Sequence, residues 1–107
     1  AASDVYKRQQ LRRAVTNILS NGVRYARSEL RLTCRADKRH VTIRIQDDGD
    51  GIAEEDIPHI FDRFYMGRSG KSGLALTKEI IHLHRGTIRA YNGETGAVFE
   101  ISIPVSR

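Results

Sequence analysis

The sequence predicts an α/β domain of the α+β type, in which helices cover one face of a mixed, mostly antiparallel sheet in two layers. Apolar residues recur every three or four positions across residues 10–26, which is the period of an amphipathic helix. Four later segments alternate apolar and polar residues, as half-buried strands do. A second helical pattern divides these strands into two pairs, and this order favours neighbouring strands that pair beneath two helices.

Two predicted strands follow the first helix. They cover residues 30–35 and 41–45, and a charged Asp-Lys-Arg turn joins them into a hairpin. Leu30, Leu32 and Cys34 alternate with polar residues in the first strand, so we expect all three side chains to be buried. A lone cysteine in this position is most simply a small buried hydrophobe.

The second half of the chain contains a short helix, a loop, a longer helix and two strands. Their predicted bounds are 54–60 for the short helix, 66–73 for the loop, 74–84 for the longer helix, and 87–91 and 97–103 for the strands. Pro58 interrupts the short helix, and a basic last turn followed by glycine ends the longer one.

The bulk composition narrows the class of protein. The chain of 107 residues is long enough for one small domain, and 29% charged with 39% hydrophobic residues is typical of a soluble globular protein. The net charge of +5 suits an anionic ligand, but the basic residues are spread along the chain, so we expect no nucleic-acid binding. A single cysteine excludes an internal disulfide, and no apolar run approaches the roughly 18 residues of a membrane span. We therefore expect a cytoplasmic domain without membrane contact.

The start of the chain has an unusual composition. Residues 4–9 read D-V-Y-K-R-Q, the in-frame translation of GATGTGTATAAGAGACAG, which is a transposon-end adapter used in sequencing libraries. The alternative is a native basic start to the first helix. We predict that residues 1–9 are a non-native, disordered start, and that the domain covers residues 10–107.

Residues 45–52 read I-Q-D-D-G-D-G-I, where the second predicted strand ends. A calcium-binding EF-hand loop needs acidic ligands at its first and twelfth positions, and Gln46 and Ile57 stand there when Gly51 is aligned as the loop glycine. That interpretation fails. Two others stay open: a tight turn, or a backbone that approaches a flat ligand because glycines remove the Cβ and an aspartate accepts hydrogen bonds.

One face of the first helix is polar. Arg13, Asn17, Asn21 and Arg24 recur at intervals of three or four residues, opposite the apolar face. An amide oxygen suits Mg²⁺, which typically retains waters and shares phosphate oxygens, and an arginine one turn further on suits phosphate charge. A solvated helix face with incidental asparagines is the competing interpretation.

Four motifs together identify a family resemblance. A-V-T-N-I-L-S-N-G-V-R-Y-A (14–26) resembles the N box of sensor histidine kinases, and D-D-G-D-G-I (47–52) resembles their G1 box. I-F-D-R-F-Y (60–65) is similar to the F box, and G-K-S-G-L-A-L (70–76) to the G2 box. The resemblance implies the ATP-binding catalytic domain of a two-component histidine kinase, with the Bergerat (GHKL) sandwich fold. ATP and Mg²⁺ are the cofactors it implies.

The resemblance also implies roles for residues of the N box and the G1 box. Asn21 is the Mg²⁺ ligand and a catalytic residue with Arg24, which stands where the family usually has a phosphate-contacting lysine. Asn17 supports the metal and phosphate region, and Tyr25 is a wall of the nucleotide site. In the G1 box, Asp47 binds the adenine amino group, Gly49 and Gly51 let the base approach, and Ile52 lines the pocket. We expect the remaining acids, Asp48 and Asp50, to be solvated spacers.

The resemblance extends to the loop that covers ATP and the helix after it. Phe64 belongs to the aromatics that anchor this lid, and the amides of Gly73 and Leu74 open a helix toward phosphate. The sequence departs from the family in G2, where Lys71 and Ala75 replace two glycines. Lys71 is a candidate phosphate contact, and the lid, at residues 65–72, is short.

No histidine of this chain has the sequence context of the family's phosphoacceptor site. The resemblance implies a separate dimerisation domain bearing that histidine, a homodimeric parent protein and a response regulator as partner. We expect this chain to bind ATP without phosphorylating itself. Two alternatives share the fold. One is a degenerate, non-catalytic module for nucleotide binding or dimerisation. The other is an anti-sigma-factor-like serine kinase, and the F box argues against this second alternative.

Overall fold

The computed structural model describes residues 2–63 and 74–105, with side chains from Val5 onward. The elements in chain order are α1 (Ala2–Tyr25), β1 (Leu30–Ala36), β2 (His40–Asp47), a short 3-10 helix (Ile57–His59), α2 (Ala75–Leu83), β3 (Thr87–Asn92) and β4 (Ala97–Pro104). All four predicted strands and both longer helices are present, and α1 begins before its predicted start. No helix within the described residues is long and apolar enough to cross a membrane.

The four strands form one sheet in the order β1-β2-β4-β3. Every pairing between these described strands is antiparallel, in a sheet that the sequence predicted to be mixed and mostly antiparallel. The predicted hairpin is confirmed, since β1 pairs with β2 along its full length. The Asp37 carboxylate accepts hydrogen bonds from the Arg39 and His40 amides at 2.7 Å each, and thereby fixes the hairpin turn.

One face of the sheet carries the core. Ile45 pairs with Phe99, and Ile43 pairs with Ile101 in the neighbouring strand, so their side chains form apolar rows across the sheet. Both helices pack on each other, α1 lies against β2, and α2 lies against β3. The core therefore lies between one helical layer and one sheet, which confirms the predicted two-layer fold. Its buried members are Ala14, Ile18, Ile45, Ile52, Ile60, Leu74, Ile80, Ile81, Ala97, Phe99 and Ile101.

The first helix begins earlier than predicted. It starts at Ala2 instead of residue 10, because residues 2–9 contain neither glycine nor proline and nothing in them ends a helix. His84 after α2 places its ring nitrogens 2.9 Å from the Ile80 carbonyl oxygen and 3.0 Å from the Lys7 carbonyl oxygen, and so connects this early part of α1 to α2. The predicted helix start is wrong; the non-native origin of residues 1–9 stays a prediction.

The expected burial of β1 is wrong for two of its three inward-facing residues. Leu30 is half-buried, but Leu32 is 48% exposed and Cys34 is also exposed. The register does place both beside core residues, with Leu32 opposite Ile45. β1 is the edge strand, however, and the helices pack over β2 and β3, so the inner face of β1 beyond Leu30 stays uncovered.

The predicted short helix at 54–60 is only a single 3-10 turn, Ile57–His59. Pro58 has no N–H to donate, so this segment cannot form the continuous bonding of an α-helix. After the turn, Ile60 is buried, and the Phe61 ring meets Phe99 edge-on with centroids 6.3 Å apart. The residues that follow the stretch of aspartates and glycines therefore pack against the core again.

Candidate functional site

The site is built around Asp47, the last residue of β2. Its side chain is 3% exposed, and its Oδ1 accepts hydrogen bonds from the Gly49 amide at 2.9 Å and the Ala97 amide at 3.2 Å. Within the described residues, both hydrogen bonds to this carboxylate end on Oδ1. Oδ2 therefore accepts no hydrogen bond from the described backbone amides.

Gly49 and Gly96 allow the backbone to close around this carboxylate. A Cβ on Gly49 would collide with the carbonyl oxygen of Tyr25 at the end of α1 and lie 3.0 Å from its carbon. Gly96 has φ of +84°, and a Cβ there would lie 2.5 Å from Asp47 Oδ1. The sequence interpretation assigned the loop glycines to ligand approach. At Gly49, however, it is the Tyr25 carbonyl group of the protein itself that leaves no room for a side chain.

The rest of the acid-glycine loop (residues 47–52) is bound to the end of β3. The Ile52 amide donates to Asn92 Oδ1 at 2.7 Å, and Asn92 Nδ2 donates to the Ile52 carbonyl at 2.8 Å. Gly51 precedes this pair with φ of +83°, a conformation that favours glycine. Asn92 lies between the predicted strands 87–91 and 97–103, where asparagine before glycine is typical of an ordinary turn. A cleft of about 770 Å³ opens between residues 48–51, residues 27–29 and the residues from Asn92 to Gly96, and Asp47, Ile52 and Asn21 do not line it.

Asp48 is not the solvated spacer that the sequence predicted. Its carboxylate accepts hydrogen bonds from the Ser28 hydroxyl at 2.7 Å and from the amides of Arg27, Ser28 and Glu29 at 2.8, 3.0 and 3.1 Å. These are the residues between α1 and β1, so Asp48 holds the end of the helix beside the loop. Asp50 is exposed, as expected, and makes a surface ion pair with Arg27.

The Asp48 contacts predict a dependence of stability on pH. The Ser28 hydroxyl, followed by the amides of Ser28, Glu29 and Arg27, lowers the pKa of the Asp48 carboxyl below its ordinary value. A carboxyl whose pKa is depressed by folding stabilises the protein above its unfolded-state pKa, near 3.9, and loses that contribution as the pH falls further. We expect Asp48→Asn to be less stable than the native chain at pH 7, and the difference to narrow progressively below about pH 4.

Urea unfolding of both proteins between pH 7 and pH 2.5 measures this difference directly. The other carboxyl groups are common to the two chains, so their titration cancels in the comparison. Asp50→Asn is the matched control, because Asp50 is exposed and pairs only at the surface. A difference between Asp48→Asn and the native chain that is constant across this range would contradict the prediction.

The polar stripe of α1 divides into a buried part and an exposed part. Asn21 is 8% exposed, and its Nδ2 is a buried donor without a hydrogen-bond partner in the described part of the chain. Asn17 Nδ2 donates to Thr77 Oγ1 on α2 at 3.4 Å, so it joins the two helices. Arg24 is exposed and Tyr25 is half-buried. An unpaired buried donor is costly, and Asn21 Nδ2 is the atom of the stripe that lacks an acceptor among the described residues.

Several predicted site residues belong to the lid region. Phe64, Lys71 and Gly73 lie outside the described residues. Leu74 directly precedes α2, and its side chain is 2% exposed and packed in the core, so only its backbone can face a ligand. Arg63, which precedes these residues in the chain, places its guanidinium 3.8 Å from the Glu79 carboxylate of α2.

The residues present fit a magnesium ion that is held mainly by phosphate and water. Within residues 2–63 and 74–105, no three histidine, cysteine or acidic side chains form a metal cluster. Mg²⁺ is commonly bound through one or two protein oxygens, with substrate phosphates and waters completing its shell. Asn21 carries such an amide oxygen, and its buried Nδ2 is a donor without an acceptor among the described residues.

A family model described as histidine kinase-, DNA gyrase B- and HSP90-like ATPase matches residues 6–107. The chain belongs to this family. Within it, the closely similar proteins are sensor histidine kinases, and the chain is recognised as their ATP-binding catalytic domain. The match includes the acid-glycine loop and the asparagines of α1.

The curated relatives are much longer than this chain. Sensor histidine kinase CssS of Bacillus subtilis is 32% identical over 98 residues, which cover 90% of this chain and 22% of that protein. Sensor histidine kinase CusS of Escherichia coli is 34% identical over 104 residues, covering 88% of this chain and 22% of that protein. The chain thus spans about a fifth of the length of these relatives.

Solved structures of histidine kinases have the same fold. The catalytic domain of ThkA superposes with a TM-score of 0.81 at 26% identity and covers 91% of this chain and 68% of that one. The ATP-binding domain of PrrB from Mycobacterium tuberculosis gives 0.76 at 29% identity, with 92% and 69% covered. Full-length ShkA, solved in complex with AMPPNP, gives 0.76 at 26% identity, with 92% and 22% covered.

Proposed function

We propose that this domain binds Mg-ATP between α1 and the acid-glycine loop. In the parent protein it then presents the γ-phosphate to a histidine on a separate dimerisation domain, in two-component signal transduction. The family match and the sensor histidine kinases among its relatives support this role. The solved complex of ShkA with AMPPNP shows that a protein of the same fold holds a nucleotide analogue.

The geometry of Asp47 carries the proposal. A buried carboxylate with one oxygen saturated by backbone amides has a fixed orientation, so its second oxygen is a directed acceptor. The exocyclic amine of adenine is a matching donor, and a hydrogen bond to a charged acceptor is worth about 1.5–3 kcal/mol. Ile52, which is buried and follows in the same loop, supplies an apolar wall.

Asn21 and Arg24 are proposed to serve the phosphates. Asn21 would hold Mg²⁺ through its amide oxygen, and the bound ion would neutralise developing charge on the phosphoryl group. Arg24 follows one turn later on the same helix and is exposed, so its guanidinium is free to contact phosphate. Asn17 fixes the helix against α2 through Thr77 and so supports this region. The domain's contribution is positioning and charge neutralisation, as is usual for phosphoryl transfer.

The remaining partners belong to the parent protein. The relatives are sensor histidine kinases, so we propose a homodimeric parent in which a separate domain carries the phosphoacceptor histidine and a response regulator receives the phosphate. This domain would work on the cytoplasmic side, where ATP is available. Since the nucleophile lies on another domain, the 107-residue chain is expected to bind ATP without labelling itself.

Calorimetric titration tests the proposal. The chain is expected to bind ATP more tightly with Mg²⁺ than with a chelator present. Asn21→Ala is expected to weaken Mg-ATP binding at least tenfold, about 1.4 kcal/mol. Its effect on metal-free ADP should be smaller, because the ligand to the ion is what has been removed.

Ser20→Ala is the matched control, since Ser20 is an exposed neighbour on the same helix. It should bind Mg-ATP as the native chain does. An Asn21→Ala variant with native Mg-ATP affinity, and with the same gain in affinity from Mg²⁺ as the native chain, would remove Asn21 from the metal site. A native chain that binds no nucleotide would refute the proposed function and favour a degenerate module.

A further inference from the structure

We infer that Asn92 is a positioning residue of the nucleotide site, which sets the selectivity for adenine by holding the backbone of Ile52. The inference rests on the proposed function, because it assigns a role to a residue around that site. Asn92 lies 40 residues from Ile52 in the sequence, at the end of β3. No motif quoted from the sequence includes it.

The contact between Asn92 and Ile52 is reciprocal. The side-chain oxygen of Asn92 accepts from the Ile52 amide at 2.7 Å, and its nitrogen donates to the Ile52 carbonyl at 2.8 Å. Both backbone polar groups of Ile52 are thus bound by one side chain. Only an amide side chain offers an acceptor and a donor side by side in this way, since aspartate lacks the donor when ionised.

The local backbone is shaped for this contact. Gly51 has φ of +83°, and a Cβ on it would lie 2.7 Å from Asn92 Oδ1. A side chain at Gly51 would therefore be strained and would also displace Asn92. The glycine of the loop thus makes room for Asn92, which lies directly beside it.

The same turn also holds Asp47. The Gly93 amide donates to the Gly96 carbonyl at 2.9 Å, which closes the turn between β3 and β4. At the far end of this turn, Ala97 donates its amide to Asp47 Oδ1. One turn therefore binds Ile52 at its start, through Asn92, and Asp47 at its end.

This arrangement fixes the acceptor for the adenine amine relative to the apolar wall. Hydrogen-bonding selectivity for a base depends on the placement of its acceptor, since a shift of about 1 Å removes much of the advantage of a preorganised site. Loss of the Asn92 hydrogen bonds to Ile52 should therefore lower the affinity for adenine nucleotides more than the affinity for guanine nucleotides. If Asn92 had a purely structural role, its substitution would lower the affinities for both nucleotides by the same factor. The ratio of the two affinities therefore separates the two roles.

The test uses Asn92→Ala in the 107-residue chain, with ADP and GDP titrated by calorimetry. We expect ADP affinity to fall about tenfold, and the ratio of GDP to ADP dissociation constants to fall several-fold. Hydrogen exchange of the Ile52 amide should accelerate in the nucleotide-free variant, because its acceptor is gone. Asn92→Asp keeps the acceptor but sets a carboxylate oxygen against the Ile52 carbonyl oxygen, so its ADP affinity and its ratio of GDP to ADP dissociation constants should also fall below the native values.

Arg89→Ala is the control on the same strand. Arg89 pairs with Glu100 at the surface, and its removal should change neither ADP affinity nor the ratio. If thermal unfolding shows that Asn92→Ala is not folded, Asn92→Asp is compared with the native chain instead. An unchanged ratio in a folded Asn92 variant, even with weaker binding of both nucleotides, would overturn the inference. A native chain that binds no ADP would instead refute the proposed function on which the inference rests.

Discussion

Asp47→Asn is expected to lower Mg-ATP affinity by at least tenfold while the domain stays folded. The asparagine retains an oxygen that accepts from the Gly49 and Ala97 amides, so the loop keeps its support. The second oxygen becomes an NH₂ group, which faces the adenine amine donor to donor. Loss of a charge-assisted hydrogen bond alone costs about 1.5–3 kcal/mol, which corresponds to roughly ten- to hundredfold in affinity.

Asp47→Ala provides the comparison. Alanine removes the adenine acceptor and also leaves the Gly49 and Ala97 amides without their partner, at a cost of about 1–3 kcal/mol in stability for buried groups. We therefore expect both variants to bind Mg-ATP at least tenfold more weakly, and only Asp47→Ala to unfold at clearly lower temperature. Calorimetry and thermal unfolding measure the two effects separately. Native affinity in both variants would refute the assignment of Asp47 to adenine.

The sequence predicted the central strands well because the alternation of apolar and polar residues within each strand indicates which side chains are buried. Ile43 and Ile45 alternate with polar residues, and the same holds for Phe99 and Ile101, which lie opposite them in the sheet. Such alternation identifies the inward face of a strand. It does not show whether a helix covers that face, and for this reason Leu32 was predicted to be buried although it lies on the edge strand.

For a related reason, the sequence indicated some residues of the site and missed the contacts of others. Asp47 and Asp48 are adjacent residues of one type, and only the family resemblance distinguished them. Successive residues at a strand end point in opposite directions, so Asp47 is buried against Ala97, whereas Asp48 meets the connection after α1. The partners of Asp48 lie 19 to 21 residues away. Periodicity cannot indicate contacts of that kind, and it missed Asn92 for the same reason.

Gly96→Ala is expected to destabilise the domain more than a substitution at Asp47 or Asn92. Alanine at φ of +84° costs about 1–2 kcal/mol, because the left-handed conformation brings Cβ too close to the following carbonyl. The new methyl would also collide with the backbone of Asp47 and lie 2.5 Å from its Oδ1, and overpacking of this kind costs a further 1–3 kcal/mol or so. A loss of about 3 kcal/mol should lower Tm by roughly 10–20 °C in a domain of this size.

Gly93→Ala is the matched control, three residues earlier in the same turn. Its φ is not in the left-handed region, and a Cβ there would meet side-chain atoms, Gln46 Nε2 and Val98 Cγ2, at 3.0 Å each. The amide end of Gln46 can rotate away, so the loss should stay near 1 kcal/mol. Since Gly96 lies against Asp47 and Gly93 does not, only Gly96→Ala should also weaken ATP binding when both are measured below their unfolding temperatures. Equal Tm values for the two variants would mean that the turn moves freely away from Asp47. They would contradict the rigid placement of the carboxylate on which the proposed recognition of adenine depends.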